Sequence, residues 1–518
     1  MQSEPLKEGY IHDWSTGKVV DGRKPEEKVR QDYEQILFND YDYTKEQIDI
    51  EVSIQRGEKH SKKNQNERAD IVVYKTSDKF KREQNEDILG IIETKRPTRK
   101  EGVKQLTSYM SATSAQWGVW TSGDEIEYLY RNPVTGDIKQ GFVYQIPRNG
   151  ETFESIGRIA KKNLKPASNL KLIFRRLLKT LYSNTNISRR EKLGNEMVRL
   201  IFCKIWDERY EPNALPQFRI DFKETPEETA AEIKRVAKRI KKLFDEVKNE
   251  LVSDGVFDKG EKITLEDKSI AYVVGELEQY SLSRTDKDVV GDAFEVFAES
   301  KLVGEKGEFF TPREIVKTAI QIVEPQPQQT VCDPACGSGG FLIYAIEYIW
   351  GVMEGSKKYK GLPNLEELKK EIAEKYFSGI DKEIDLVKIA KAYMAIIGDG
   401  RGGIVQQNTL HTAEDFEGRA RELFVENDEF KQFDIILTNP PFGRSSKILK
   451  EDAKYFDLGH VWKRNGDVWE KTNKSKETEP QVLFIERCLQ MLRGGQVSDS
   501  FTRDLFSCTE RKIRAELS

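Results

Sequence analysis

The sequence predicts a multidomain chain of α/β and α units, the last large unit being an open α/β domain built on a parallel sheet. Three observations carry this. The 518 residues exceed what one ordinary core organises, since domains usually run to about 100–200 residues. Periodicity changes along the chain: mixed α and β up to about residue 148, helical to about residue 300, then short apolar runs alternating with helical stretches from Gly307 onward. The composition, 37% hydrophobic and 33% charged, suits folded domains, and no low-complexity tract or repeat interrupts it.

Within residues 1–148, KPEEKVRQDYEQILF reads as a helix, followed by the β-rich runs RADIVVYK, ILGIIETK, QWGVWT and EIEYLYR. The last two flank Ser122-Gly123-Asp124-Glu125, whose turn chemistry predicts a hairpin. Residues 149–300 lack strand alternation. In EETAAEIKRVAKRIKKLFDEVKNEL, for example, Ile233, Val236, Ile240 and Phe244 recur at helical spacing. Cations gather here too: from Gly157 to Lys192 there are eleven Lys/Arg against one acid, Glu191, a pattern that fits either a phosphate-tracking stripe or a solvated helix face. In residues 301–495, TVCDPA, FLIYAIEYIW, YFSGID, EIDLVKIAKAYMAII and FDIILTNPPF alternate as the strands and helices of a parallel sheet.

Several classes are disfavoured. The start, MQSEPLKEGY, lacks a signal-peptide pattern, and no apolar run approaches the roughly 20 residues that span a bilayer, so a cytoplasmic protein with no membrane partner is expected. The five cysteines form no CxxC pair and the four histidines have no companion ligand spacing, which predicts reduced thiols and no structural zinc. A net charge of −4 argues against a nucleic-acid coat protein. No GxxxxGK[ST] occurs, because Gly255 to Gly260 continues as Glu261-Lys262, so no translocating ATPase is expected.

Three constellations carry chemistry. Thr330-Val331-Cys332 runs into Asp333-Pro334-Ala335-Cys336-Gly337-Ser338-Gly339-Gly340 and then an apolar helix from Phe341, a strand, glycine turn and helix that let a ligand approach the backbone and meet helix N-terminal N–H groups. The next strand, YFSGID, ends in Asp381, placed either to grip a ribose diol or to cap the following helix. Further on, Phe433 to Thr438 is a strand ending in Asn439-Pro440-Pro441-Phe442. The prolines fix a rigid turn, the Asn carboxamide and a neighbouring carbonyl can accept both hydrogens of an exocyclic amine, and Phe442 can stack on an extruded base. In the first segment, Asp70 starts one strand and Glu93 and Lys95 share a face near the end of the next. If those strands are antiparallel, Asp70 lies opposite Glu93, the two carboxylates can share a Mg²⁺, and Lys95 can orient water toward phosphorus. A further acid on the preceding helix is Glu27 or its neighbour Glu26.

Residues 290–495 resemble the modification subunit of type I restriction systems, a family of S-adenosylmethionine-dependent adenine-N6 DNA methyltransferases. The resemblance rests on Gly307-Glu308-Phe309-Phe310-Thr311-Pro312-Arg313-Glu314, DPACGSGGF at 333–341 and NPPF at 439–442, in that order. It implies a Rossmann-like methyltransferase domain in which Phe310, Thr311 and Pro312 line the methionine end of S-adenosylmethionine. The turn carrying Asp333, Pro334, Ala335, Gly337, Ser338 and Gly339 would cradle the cofactor, Asp381 would hold the ribose and Asn408 would sit near the cofactor adenine. Asn439, Pro440, Pro441 and Phe442 would hold the target adenine. Residues 1–148 resemble the PD-(D/E)xK nucleases and the N-terminal part of type I restriction subunits, with Gln105 and Tyr109 matching the QxxxY element that often follows the ExK triplet. Double-stranded DNA and a specificity subunit are the implied partners, and the fusion without an ATPase motif resembles type IIG or IIB enzymes.

The implied domains are a nuclease-like 1–148, a helical 149–300, a methyltransferase 301–495 and a tail at 496–518. In the family an apolar strand follows the Gly-Gly after the helix LFIERCLQMLRGG. Here Gly494-Gly495 continues as Gln496-Val497-Ser498-Asp499, which predicts an incomplete sheet and a frameshift or early stop after about residue 495. Two other functions fit parts of the sequence: a methyltransferase acting on RNA or protein glutamine, and an inactive fragment that binds DNA or a subunit.

Overall fold

The computed structural model describes residues 7–54, 68–78, 85–96, 102–141, 143–184, 190–209, 211–253, 255–286, 289–291, 293, 296, 311–397, 400–442, 447–466 and 468–494. The chain forms two compact units, residues 1–247 with 262–293, and residues 248–261 with 294–518.

The first unit opens with an antiparallel ribbon of β1 (Tyr10–His12) and β2 (Val19–Asp21), then the helix Pro25–Asn39. A six-stranded sheet follows in sequence order: β3 (Ile48–Ser53), β4 (Arg68–Tyr74), β5 (Ile88–Thr94), β6 (Trp117–Thr121), β7 (Ile126–Arg131) and β8 (Ile138–Gln140). Among the described strands of this sheet only β5 and β6 pair in parallel, and the helix Val103–Ser111 makes the crossover that a parallel pair requires. Both faces of the sheet are covered, which is why β4 and β5 read as nearly continuous apolar runs. Ile71, Val73, Ile92 and Val119 pack with Tyr33, Ile36 and Leu37 of the first helix, whereas Val72, Ile91 and Trp120 pack with Leu106, Tyr109 and Met110 of the crossover helix. Each such fully buried side chain stabilises by about 1.5–3 kcal/mol.

Helical segments Leu170–Asn184, Arg190–Glu208 and Asp267–Leu277, with most of Pro226–Leu251, belong to this same unit. Buried polar contacts join them to the sheet segment: Tyr280 Oη donates to Asp40 Oδ2 at 2.8 Å, and Arg148 donates to the Gln279 carbonyl at 3.2 Å. Four cations of the basic run are engaged by carboxylates. Lys161 pairs with Asp207 at 3.1 Å, Arg176 is buried against Glu276 at 2.5 Å, Lys179 faces Asp124 and Glu125 at 3.6 and 3.4 Å, and Lys165 pairs with Asp42.

The second unit holds a four-stranded, all-parallel sheet. Its strands, with a small hairpin of β12 (Val425–Glu426) and β13 (Glu429–Phe430) inserted, are β9 (Val331–Asp333), β10 (Phe377–Asp381), β11 (Ile404–Gln406) and β14 (Ile435–Ile436), in the spatial order β11-β10-β9-β14. The chain winds outward from β9 and returns on its other side at β14, so a topological switch point lies between β9 and β14. Helices Arg313–Val323, Gly340–Gly355, Leu365–Tyr376, Ile384–Ile397, Gly418–Phe424 and Pro480–Met491 complete the unit, together with an antiparallel ribbon of β15 (His460–Asn465) and β16 (Val468–Ser475). The strand expected over 433–438 is shorter than its apolar run. Outside Ile435–Ile436, Leu437 donates to the Cys332 carbonyl at 3.0 Å, and Phe433 bridges Leu492, with the Phe433 N–H on the Met491 carbonyl at 2.7 Å. The tail at 496–518 lies outside the described residues. Among the described residues no helix is long and apolar enough to cross a membrane.

Candidate functional site

Register brings the two motifs of the second unit together. Cys332 pairs with Ile436 across β9 and β14, so Asp333 and the segment Thr438-Asn439 leave the sheet side by side at its carboxyl end. A cavity of about 290 Å³ opens there, lined by Asp333, Pro334, Ala335, Gly337, Ser338 and Gly340 on one side and Asn439, Pro440 and Pro441 on another, with Thr311, Asp381 and Asn408 in the wall.

Local bonds fix the glycine turn. The Cys336 N–H donates to the Ile380 carbonyl at 2.8 Å, and the Gly337 N–H donates to Asp381 Oδ2 at 2.9 Å. Asp381 also accepts the Glu383 N–H at 2.9 Å on Oδ1, so it bonds the backbone just ahead of the helix Ile384–Ile397 while lining the cavity. Gly337 and Gly339 have φ of +52° and +86°, a left-handed geometry that glycine adopts without strain. A Cβ at Gly337 or Gly340 would meet nothing within 4 Å, and both residues line the cavity, so these glycines keep its floor open. Burial pushes the Asp333 carboxyl up to about 7, against the hydrogen bond its Oδ1 accepts from the Ala335 N–H at 3.1 Å.

Asn439 Nδ2 donates to Thr311 Oγ1 at 3.0 Å, tying the segment before Arg313–Val323 to the end of β14. Three expected residues are placed differently. Gly339 is absent from the cavity wall because it faces Ala390, whose Cβ would lie 3.3 Å from an added methyl. Pro312 caps the helix Arg313–Val323 rather than lining the cavity, and Phe442 lies outside the wall, 42% exposed. Phe310 falls outside the described residues. Motif reading missed Lys382 and Gln407, neighbours of predicted residues, and Ile448, Pro480 and Phe484, which arrive from later in the chain with no spacing signal.

In the first unit β4 and β5 are antiparallel, with Ile71 opposite Ile92, and the next step of that register sets Asp70 opposite Glu93. Asp70 Oδ2 accepts the Thr94 N–H at 2.7 Å, and Lys95 donates to Glu93 Oε1. Burial first, and Asp70's charge second, push Glu93 up to about 7, while Lys95 opposes the shift. Its Oε2 is buried without a hydrogen-bond partner. A cleft of about 320 Å³ is lined by Asp70, Thr94, Lys95, Gln105 and Glu26, among others. Glu93 and Tyr109 lie behind this wall, 1% and 0% exposed. Gln105 Nε2 donates to Tyr109 Oη at 2.7 Å, and Tyr109 Oη donates to the Arg68 carbonyl at 3.1 Å, so the tyrosine braces both the glutamine and the start of β4. Of the two acids left open on the first helix, Glu26 reaches the cleft, whereas Glu27 is buried on Arg30 at 2.6 Å. Among the described residues no group of three or more His, Cys, Asp or Glu side chains is placed to hold a metal ion.

Fold and cavity define the second unit as an open α/β domain with a cavity at its switch point. Residues 285–488 match the family model described as N-6 DNA Methylase, and residues 25–147 match that of the type I restriction enzyme R protein N terminus. The chain is 30% identical over 171 residues to the methylase subunit of the type I restriction enzyme StySPI of Salmonella potsdam, covering 31% of this chain and 28% of that protein. It is 27% identical over 167 residues to the type II restriction enzyme and methyltransferase RM.BcgI of Heyndrickxia coagulans, covering 32% and 23%. It thus spans less than a third of the length of these curated relatives. A modification subunit of a putative type I restriction enzyme from Vibrio vulnificus superposes with a TM-score of 0.36 at 17% identity, covering 65% of this chain and 70% of that one.

Proposed function

We propose that this chain is a cytoplasmic restriction–modification protein whose second unit transfers a methyl group from S-adenosylmethionine to adenine N6 in double-stranded DNA, with a specificity subunit as partner. The observation that carries the reading is the single cavity lined both by the glycine turn at 333–341 and by Asn439-Pro440-Pro441. S-adenosylmethionine, when bound, supplies a methyl group on a sulfonium. The residues fit it: N–H groups at the start of the helix Gly340–Gly355 suit its carboxylate, the open floor at Gly337 and Gly340 leaves room for it, and Asp381 and Asn408, both in the cavity wall, would hold its ribose and adenine. The bond from Asn439 Nδ2 to Thr311 orients the carboxamide, so Oδ1 is the acceptor for one hydrogen of the target amine. A neighbouring carbonyl takes the other, and Phe442, which follows the two prolines, would stack on an extruded base.

The first unit, in this reading, is a Mg²⁺-dependent endonuclease of the type IIG or IIB sort. Two carboxylates, one with an orphaned buried oxygen, fit a cation that keeps most of its waters and takes its remaining ligands from phosphate. Mg²⁺, when bound, supplies charge neutralisation at the attacked phosphate. Asp70 and Glu93 would hold it, with Lys95 and Gln105 orienting water and substrate from the cleft wall.

The deciding experiment gives the chain labelled S-adenosylmethionine with duplex DNA, RNA and its own protein as acceptors, with and without a specificity subunit. N6-methyladenine in the duplex is expected, falling by about 10²-fold or more in Asn439→Ala, the usual scale for removing one group that stabilises the reacting centre. Label in RNA or in glutamine overturns the reading. DNA binding without transfer under any condition favours the inactive binding fragment.

A further inference from the structure

The segment between the two prolines at 440–441 and the helix Pro480–Met491 makes an excursion from the cavity wall. Ile448 and Pro480 both line the cavity, and the excursion is clasped at its root by two hydrogen bonds, Ile448 N–H to the Thr478 carbonyl at 2.8 Å and Thr478 N–H to the Ile448 carbonyl at 3.1 Å. Phe456 and Ala453, at the foot of the ribbon, pack with Leu483 and Phe484, and Phe484 is itself a cavity residue. What rises from this root is the β15–β16 ribbon, which no other strand joins among the described residues.

The composition of the ribbon is not that of a core element. Residues 460–475 contain Lys463, Arg464, Lys471 and Lys474 against Asp467 and Glu470, with two tryptophans interleaved. Directly opposed residues in an antiparallel pair share a face, and the register sets Trp462 opposite Lys471 and Arg464 opposite Trp469. One face of the ribbon therefore presents Trp462, Arg464, Trp469 and Lys471 together, and the other carries Lys463. Lys463, Arg464, Lys471 and Lys474 are all exposed, while the two indoles are half-buried. The loop at the tip opens on Gly466 at φ +65°, the geometry of a tight hairpin turn. Six residues at about 3.3 Å each give an arm of roughly 20 Å, and a two-stranded ribbon fits the roughly 12 Å width of the DNA major groove.

We propose that the β15–β16 ribbon is a DNA-contacting arm that grips the duplex flanking the extruded base, with Lys463, Arg464 and Lys474 on phosphates and the Trp462–Trp469 face against sugars or base edges. Cations alternating with indoles complement a phosphate backbone and planar bases. The root on the cavity wall places the arm where DNA delivering a base to Asn439 must pass. The inference rests on the methyltransferase reading of that cavity.

The test uses the full chain and its Lys463→Ala/Arg464→Ala/Lys474→Ala variant, with all three substitutions at exposed positions. S-adenosylmethionine binding is measured by calorimetry, and binding of a fluorescein-labelled duplex by anisotropy across a salt series. The variant is expected to bind cofactor like the parent and to bind duplex at least about tenfold more weakly. Its plot of log affinity against log salt should be shallower by about 0.9 for each phosphate that the variant no longer neutralises. Unchanged duplex affinity and slope overturn the arm. A parent that binds cofactor but not duplex overturns the arm while leaving the cofactor site standing, and a parent that binds neither brings down the methyltransferase reading and the arm together.

Discussion

Arg30 lies within 3.7 Å of four carboxylates, Asp13, Glu27, Glu34 and Glu51, and the first three are buried with it. One guanidinium cannot offset three buried negative charges, so burial first and Asp13 second push Glu34 up to about 8 from the ordinary glutamate value of 4.5. A carboxyl whose folded value is raised binds its proton more tightly in the native state, so its contribution to stability is complete below 4.5 and is lost as pH rises through about 8. Glu34→Gln, which retains an oxygen to accept the Ser15 N–H now at 3.2 Å, is expected to melt higher than the parent above that range and to match it near 4.5. The gain should be about 2 kcal/mol, allowing for solvent screening of a group that is not wholly enclosed. Thermal melts of both proteins across this pH range check the sign. A variant less stable than the parent at high pH would mean that Glu34 is held ionised by Arg30.

At the scale of elements, two glycines separate a folding role from a binding role. Gly403 precedes β11, and a Cβ there would lie 2.0 Å from the Phe377 carbonyl of β10, a backbone atom held in the sheet rather than a flexible side chain. Gly340 begins its helix with open space where its Cβ would be, and that space is the cavity. Gly403→Ala is therefore expected to cost about 2 kcal/mol or more in denaturant unfolding, as overpacking does. On the proposed reading, Gly340→Val should change stability by less than about 1 kcal/mol while weakening S-adenosylmethionine binding at least about tenfold, since its side chain would enter the cavity. Equal cofactor affinity in parent and Gly340→Val would move the cofactor away from this turn. Elements such as β4, β5 and β6 were legible because burial on both faces leaves apolar runs bounded by turn residues. The β15–β16 ribbon was not legible, because a ribbon with no fully buried residue on either face has no core side to impose alternation.

At the scale of the whole molecule, the sequence separates the sheet of residues 1–148 from the helices that follow, yet both lie in one compact unit. The hydrogen bonds that join them, such as Tyr280 on Asp40, bring together residues far apart in the chain and leave no periodic trace. The assignment of 248–261 to the second unit was hidden for the opposite reason. Helical periodicity runs unbroken through Pro226–Leu251, while the side chains that claim the segment, Lys388 on Glu261 at 2.5 Å and Lys391 on the Gly255 carbonyl at 3.1 Å, come from over a hundred residues later. The asymmetry extends to the two sites. Glycine turn and Asn-Pro-Pro were readable because backbone geometry dictates residue type, whereas in the first unit the choice of Glu26 over Glu27 needed the orientation of the first helix, which turns Glu26 to the cleft and Glu27 onto Arg30. Each unit has its own core and its own candidate ligand, so calorimetric unfolding should resolve two transitions with separate ligand responses. S-adenosylmethionine at a hundred times its Kd stabilises the unit that binds it by about 2.7 kcal/mol, and should shift one transition only, with the shift abolished in Asp333→Ala. Mg²⁺ should shift the other, with that response abolished in Asp70→Ala. A single transition moved by both ligands would mean that the units unfold as one cooperative body. A Mg²⁺ response that survives Asp70→Ala would place the cation away from the β4–β5 carboxylates and remove the physical basis for an endonuclease in the first unit.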